Sequence, residues 1–275
     1  MSPIATRIAA DKAAPWVERL ARMGFFAKGV LYVTIGALAV SAALGQRGSK
    51  SADSQGAMTE IYSAPWGRAL LALLTIGLAG YAVWRIVEGI HDPEHRGTSA
   101  KGIAWRIGNL ASGIVHALFA YTTASVALGH HAGASDGQQA KHWSARALET
   151  PGGIYLLWIT AVILVGYGAY QLFCAWATKL DDELDLGHMT DRPRRLVIGI
   201  SRFGIAARGI VFGAMGVLFA RAAIDRAPHE SGGIGDSIHG LVQLGRWPFL
   251  AIATGVVAYG LYELLCARYR RITVR

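Results

Sequence analysis

The sequence predicts an all-α membrane protein: six transmembrane helices forming three tandem helical hairpins in a pseudo-threefold arrangement, with the N and C termini cytoplasmic. Three observations carry this. Hydrophobic residues make up 53% of the 275 residues and charged ones only 16%, too little charge to cover a water-soluble domain of this size. The apolar residues lie in blocks of about 20, the length a helix needs to cross a hydrocarbon layer of ~30 Å. The blocks also repeat in pairs along the chain.

Residues 1–20 scatter Arg, Lys, Asp and Glu with no apolar run typical of a cleaved signal, so they predict a cytoplasmic N-terminal segment leading into the first span. The first hairpin occupies 21–92, with spans near 24–44 and 67–90. The second occupies 93–180, with spans near 108–129 and 152–176. The third occupies 181–275, with spans near 204–224 and 247–267 and a basic cytoplasmic tail. Between the spans of each hairpin, Met58–Gly67, Trp143–Gly153 and Ile238–Pro248 space apolar residues three or four apart near Pro and Gly. This predicts three short amphipathic helices lying on the outer interface as a collar. The acidic run Asp181–Asp185 and the pair Arg194-Arg195 read as a solvated helix extension and a topology signal.

The formal charge of +9 is a matter of topology. The N-terminal segment, the two loops between hairpins and the C-terminus hold 16 Lys and Arg, the three other loops hold eight, and Lys28, Arg85 and Arg208 lie within spans. The positive-inside rule then places both termini in the cytoplasm. Membrane lipids are the expected partners, with a homo-oligomer or larger membrane complex open, and nucleic acid is not expected. Cys174 and Cys266, the two cysteines, suggest neither a disulfide framework nor a metal site.

The first helix of each hairpin opens on one module. Arg22-Met-Gly-Phe-Phe-Ala-Lys-Gly-Val-Leu-Tyr32 aligns without gaps to Arg106-Ile-Gly-Asn-Leu-Ala-Ser-Gly-Ile-Val-His116 and to Arg202-Phe-Gly-Ile-Ala-Ala-Arg-Gly-Ile-Val-Phe212. The second helices share Gly80-Tyr-Ala-Val-Trp-Arg85, Gly166-Tyr-Gly-Ala-Tyr-Gln171 and Ala258-Tyr-Gly-Leu-Tyr-Glu263. All three copies run in the same direction, unlike the inverted repeats of many transporters. This triplicated pattern resembles the uncharacterised bacterial membrane family DUF1206, from about residue 20 to residue 270. The resemblance implies a six-helix, three-repeat protein of the bacterial inner membrane and brings no activity. Repeat two departs from the pattern at Ser112, where the other copies carry Lys28 and Arg208.

Charged groups within a bilayer are expensive and mark functional or structural sites. Arg22, Arg106 and Arg202 stand at span starts, where a side chain can snorkel to lipid phosphate, and read as topology anchors. Deeper in, Lys28, Arg85, Glu88, Ser112, Gln171, Arg208 and Glu263 form a candidate intramembrane polar network. Repeats with a cation in the first helix carry a carboxylate in the second, which predicts intrahairpin ion pairs Lys28–Glu88 and Arg208–Glu263. Arg85, Gln171 and Glu263 hold equivalent positions, and a threefold bundle would bring them together as a buried hydrogen-bonded network or a cytoplasmic vestibule. His116 takes the aromatic position of Tyr32 and Phe212 and lacks a second intramembrane His for haem. His91 and His95 flank Pro93, and the loop group His130, His131, His142 and Asp136 reads as solvated.

No nucleophile elbow, zinc-protease, phosphate-loop or dinucleotide fingerprint is present. No catalytic residue, cofactor or metal is therefore expected, nor an enzyme. Two functions remain: permeation of an ion or small solute through the three-hairpin bundle, or an accessory, scaffolding role in a larger membrane complex.

Overall fold

The computed structural model describes residues 3–45, 52–91, 99–130, 134–177, 180, 184–187, 189–241 and 245–270, the side chains of residues 3–18, 20–21 and 101 excepted. Within these residues the chain is helical: α1 Pro3–Ala43, α2 Ser54–Ser63, α3 Gly67–His91, α4 Ala100–Ala127, α5 Asp136–Glu149, α6 Gly153–Ala177, α7 Asp191–Ile224, α8 Ile234–Gly240 and α9 Arg246–Tyr269. Six are long and apolar enough to cross a membrane: α1 (from Arg22), α3, α4 (from Gly102), α6, α7 and α9. His95, Pro93, His131 and Asp181–Glu183 lie outside the described residues.

The tight helix–helix seams run between repeats. α3 packs on α4, α6 on α7 and α9 on α1 far more extensively than α1 on α3 or α7 on α9 within a hairpin. In α1, α4 and α7 the second glycine of the module sits at these seams. A Cβ on Gly29 would lie 2.6 Å from Leu264, on Gly113 2.6 Å from Ile86, and on Gly209 2.9 Å from the Gly168 carbonyl. Glycine is what lets these backbones approach.

The first module glycine faces the helix's own hairpin partner. A Cβ on Gly24 would lie 3.0 Å from Tyr81 and one on Gly204 2.3 Å from Tyr259 N, whereas Gly108 meets nothing within 4 Å. Accordingly α4 and α6 scarcely touch, and hairpin two is splayed. The sequence contains a cause. Gly77 and Gly255 abut their hairpin partners: a Cβ on Gly77 would lie 2.8 Å from Met23 O and one on Gly255 2.3 Å from Ala207 Cβ. The equivalent position in α6 is Ile163, which is 62% exposed. A branched side chain there holds off the close approach that glycine permits elsewhere.

At the end away from the termini, α2, α5 and α8 form the predicted collar, but they do not simply lie on the surface. Ala57, Met58, Ile61 and Ile238 are buried in the main apolar core beside Ile35, Leu71, Phe249 and Ala253. α2 and α8 therefore pack into the end of the bundle, and the N-termini of the three helices interlock. Ser54 N donates to Asp136 Oδ2 (3.2 Å), and the Asp236 carboxylate, bonded to Gly233 N and Lys141 Nζ, rests on Gly137, where a Cβ would lie 1.7 Å away. Burial, with Asp53 and Asp236 near, holds the Asp136 carboxyl above its ordinary range against the Ser54 N–H, which favours the ionised form.

At the termini end, Asp185 N donates to Tyr269 O (2.7 Å), and Leu184 and Leu186 are buried against Ile205, Tyr262 and Cys266. Part of the segment expected to be solvated is thus fastened to α9.

Candidate functional site

The three opening arginines occupy one end of the bundle, and two of them close helix ends. Arg22 Nη1 donates to Ala267 O and Arg268 O of α9, both at 2.8 Å. Arg106 donates from Nε to Gly89 O and from Nη2 to Ile90 O of α3, again at 2.8 Å. These carbonyls lie in last turns, where no intrahelical donor remains and a cation is favoured by the helix dipole. Gly89 and Ala267 are repeat equivalents, so Arg22 and Arg106 perform the same task. Arg202 would reach α6 by the same rule, but it is exposed and makes no such bond among the described residues.

Six residues further along each helix, about 9 Å at 1.5 Å per residue, tyrosines take the place of the expected carboxylates. Lys28 Nζ lies 4.0 Å from the Tyr81 ring centroid. Arg208 Cζ lies 4.7 Å from Phe212, 4.8 Å from Tyr259, 5.2 Å from Tyr167 and 5.7 Å from Tyr32. Its Nη1 donates to Tyr167 Oη (2.7 Å) and its Nε to Tyr32 Oη (3.4 Å). Since these rings come from α1, α6, α7 and α9, Arg208 stands where four spans converge.

Among the described residues no carboxylate lies within 4 Å of Lys28 or Arg208. Glu88 instead pairs with Arg85 (2.9 Å), which also donates to Tyr81 Oη (2.8 Å) and Asn109 Oδ1 (2.9 Å). Glu263 Oε1 accepts from Tyr259 Oη, and Oε2 is buried with no hydrogen-bond partner among the described residues. The reason is reach: Tyr259 stands one turn before Glu263 on α9 and fills the space between it and Arg208. Among the described residues no hydrogen bond joins Arg85, Gln171 and Glu263, so the three do not form a directly hydrogen-bonded network. Gln171 packs by its Cβ on Gly209.

A regularity missed in the sequence links the repeats. Tyr81 packs edge-on against His116, Tyr167 against Phe212 and Tyr259 against Tyr32, with centroids 4.6, 5.1 and 4.8 Å apart. Each pair joins the second helix of one repeat to the first helix of the next, and the last returns to the first. The shared tyrosine of the second helices and the aromatic column Tyr32, His116, Phe212 were the available signal. His116 Nδ1 lies 2.7 Å from Ser112 O, which fixes Nδ1 as the donor and leaves Nε2 unpartnered among the described residues. The charges of Lys28, Arg85 and Arg208 all bear on this imidazole. No group of three or more His, Cys, Asp or Glu able to hold a metal occurs among the described residues, and His130 and His142 are exposed.

The arrangement is a layer of three cations and two carboxylates wrapped in tyrosines, held between repeats that are alike in sequence. Comparison with known proteins finds the same periodicity. The model of DUF1206, a domain of unknown function, matches residues 23–92, 107–178 and 203–270. The uncharacterised protein YxxB of Bacillus subtilis (strain 168) is 30% identical over 261 residues, covering 94% of this chain and 93% of the relative. No solved structure matches. With three tandem matches that each begin one residue after the opening arginine and take in the rest of the module, the tyrosine column and the polar layer, the chain belongs to the DUF1206 family.

Proposed function

We propose that the chain is a non-enzymatic, multi-pass protein of the bacterial inner membrane, with both termini in the cytoplasm, and that it conducts small anions along a pseudo-threefold axis between its hairpins. The observation carrying this reading is that Lys28 and Arg208, at equivalent positions within spans, meet tyrosine rings and, among the described residues, no carboxylate within 4 Å. A cation deep in a span costs on the order of 2.5–3.5 kcal/mol by insertion scales. Each cation–π contact returns about 0.5–2 kcal/mol. An anion drawn to the layer adds what the fixed residues leave out, as rings of Arg and Lys do in anion pores. The uneven distribution of Lys and Arg supports the topology, and the cyclic seams and aromatic pairs support the threefold order.

The test is flux in proteoliposomes. Wild type is expected to pass chloride or nitrate in preference to potassium, with at least tenfold less flux in a Lys28→Gln/Arg208→Gln double variant. Anion flux no greater than that of empty vesicles overturns the reading.

A second reading, an accessory subunit of an oligomer or larger complex, is favoured by the large apolar residues on the exposed faces of α4 and α6, among them Leu118, Tyr121, Trp158 and Phe173. Native mass measurement from lipid nanodiscs separates the two. A lone monomer that conducts supports permeation, and a stable, non-conducting assembly supports the accessory role.

A further inference from the structure

We infer that the open seam between α4 and α6 is a lateral binding groove for a single-chain anionic amphiphile, a long-chain carboxylate drawn from the bilayer, whose head group meets Arg208. The inference rests on the cationic layer of the anion reading and adds a ligand class and a route.

Of the three hairpins only the second is splayed. Gly108 faces open space where Gly24 and Gly204 are covered by tyrosines of their own hairpins, and Ile163 stands out where Gly77 and Gly255 are packed. The opening leads to polar atoms. Ser112 is half-buried on the α4 side, and His116, one turn further on, presents an unpartnered Nε2. On the α6 side Tyr167, itself 37% exposed, holds the Arg208 guanidinium through its hydroxyl at 2.7 Å. Arg208 is therefore the cation that an entering group meets, and Tyr167 positions it.

The seam's own residue at the cation position is the neutral Ser112. An anion entering there is thus attracted inward, to the cations of the other two repeats. At the collar end Ala57, Met58 and Ile61 of α2 and Ile238 of α8 are buried in the core, which narrows that end for an anion bearing a long chain. The seam opens instead on the lipid-facing side.

The depth selects the ligand. Arg208 lies about 9 Å along its helix from Arg202, below the level where a phospholipid head group sits. A fatty carboxylate can reach that level, its affinity drawn from burying methylenes and from the charged hydrogen bond. From Tyr167 to Gly153 the seam side of α6 extends fourteen residues, about 21 Å, about the span of one extended acyl chain. Two chains and a bulky head group do not match a gap between two helices.

The experiment is equilibrium binding of radiolabelled palmitate to the full chain in nanodiscs of neutral lipid, with hexadecanol, inorganic phosphate and phosphatidylglycerol as competitors. The expected result is saturable palmitate binding, with hexadecanol and phosphate competing at least tenfold more weakly. Arg208→Gln should weaken palmitate at least tenfold. Gly108→Phe, which adds a ring to open space and leaves every cation in place, should do the same while chloride flux is retained. Unchanged palmitate affinity in Gly108→Phe, or equal competition by hexadecanol, overturns the inference and leaves the anion reading standing. Loss of chloride flux in the wild type with palmitate binding intact removes the anion reading and keeps the groove. Displacement by phosphatidylglycerol at equal concentration assigns the seam to a phospholipid and overturns the single-chain assignment. Protection of the seam in a dimer assigns it to a second copy, with the same consequence.

Discussion

Replacing Arg106 by Ala should destabilise the bundle by about 2 kcal/mol, while the same change at Arg202 should cost less than about 0.5 kcal/mol. Arg106 makes two 2.8 Å bonds to the final carbonyls of α3. Hydrogen bonds from a charged donor contribute about 1.5–3 kcal/mol each, and the dipole of the helix adds about 0.3–1 kcal/mol. The site is only half-buried, so water recovers both carbonyls once the guanidinium is gone, which brings the sum down to about 2 kcal/mol. That corresponds to roughly a 30-fold change in the folded-to-unfolded ratio. Arg106→Lys keeps the charge but loses the fork that spans two carbonyls, and should cost about 1 kcal/mol. Reversible unfolding in mixed detergent and SDS, followed by tryptophan fluorescence, measures all three. Equal losses for Arg106→Ala and Arg202→Ala would show that the arginines act only as lipid anchors and refute the capping argument.

Repeat-equivalent glycines should respond differently to a methyl group. Gly204→Ala places a Cβ 2.3 Å from Tyr259 N and should cost about 2 kcal/mol or more by the same unfolding assay. Gly108→Ala meets nothing and should be neutral or stabilise by up to about 1 kcal/mol, through helix propensity. In the collar the Asp136 carboxyl is held above its ordinary range by burial, so the ionised form opposes folding. The penalty is full above the folded value and lifts as pH falls from there towards the ordinary carboxyl value. Asp136→Asn keeps an acceptor for Ser54 N and should raise the melting temperature at pH 7–8, with the gain disappearing towards pH 4; a pH-independent loss would contradict this. In the turn before α6, a Cβ on Gly153 would lie 1.6 Å from Ala147 O. Gly153→Ala should therefore lower thermal stability markedly, whereas Gly152→Ala, at φ 82° with room around it, should cost only about 1 kcal/mol.

Much of this architecture could be read in advance, because length, hydropathy and self-similarity are properties of one segment at a time. The module at Arg22, Arg106 and Arg202 marked the starts of three packing surfaces, whereas the collar helices begin four to seven residues before the stretches whose apolar spacing predicted them. The partners of the charged groups were less legible. Lys28 and Glu88 share a hairpin and a depth, and nothing in the spacing reveals that Tyr81 takes the ammonium while Arg85, one turn before on the same helix, takes the carboxylate. Arg22 and Arg106 bond to the preceding repeat in the cyclic order, a relation between helices that neighbours in sequence do not encode. Ser112 was visible as the odd residue of its column. Its companion Ile163, in a column otherwise held by Gly77 and Gly255, is the stronger signal that hairpin two is open. It becomes legible only once those glycines are seen as close-approach points.

The splayed second hairpin underlies the lateral route to Arg208, and disulfide trapping tests it directly. In a background with Cys174 and Cys266 replaced by Ala, cysteines are paired at three equivalent places: Gly24 with Tyr81, Gly108 with Tyr167, and Gly204 with Tyr259. The first and third pairs should cross-link rapidly under mild oxidation in native membranes, and the second should not. Cross-linking of the Gly108 and Tyr167 pair as fast as the other two would contradict the open seam.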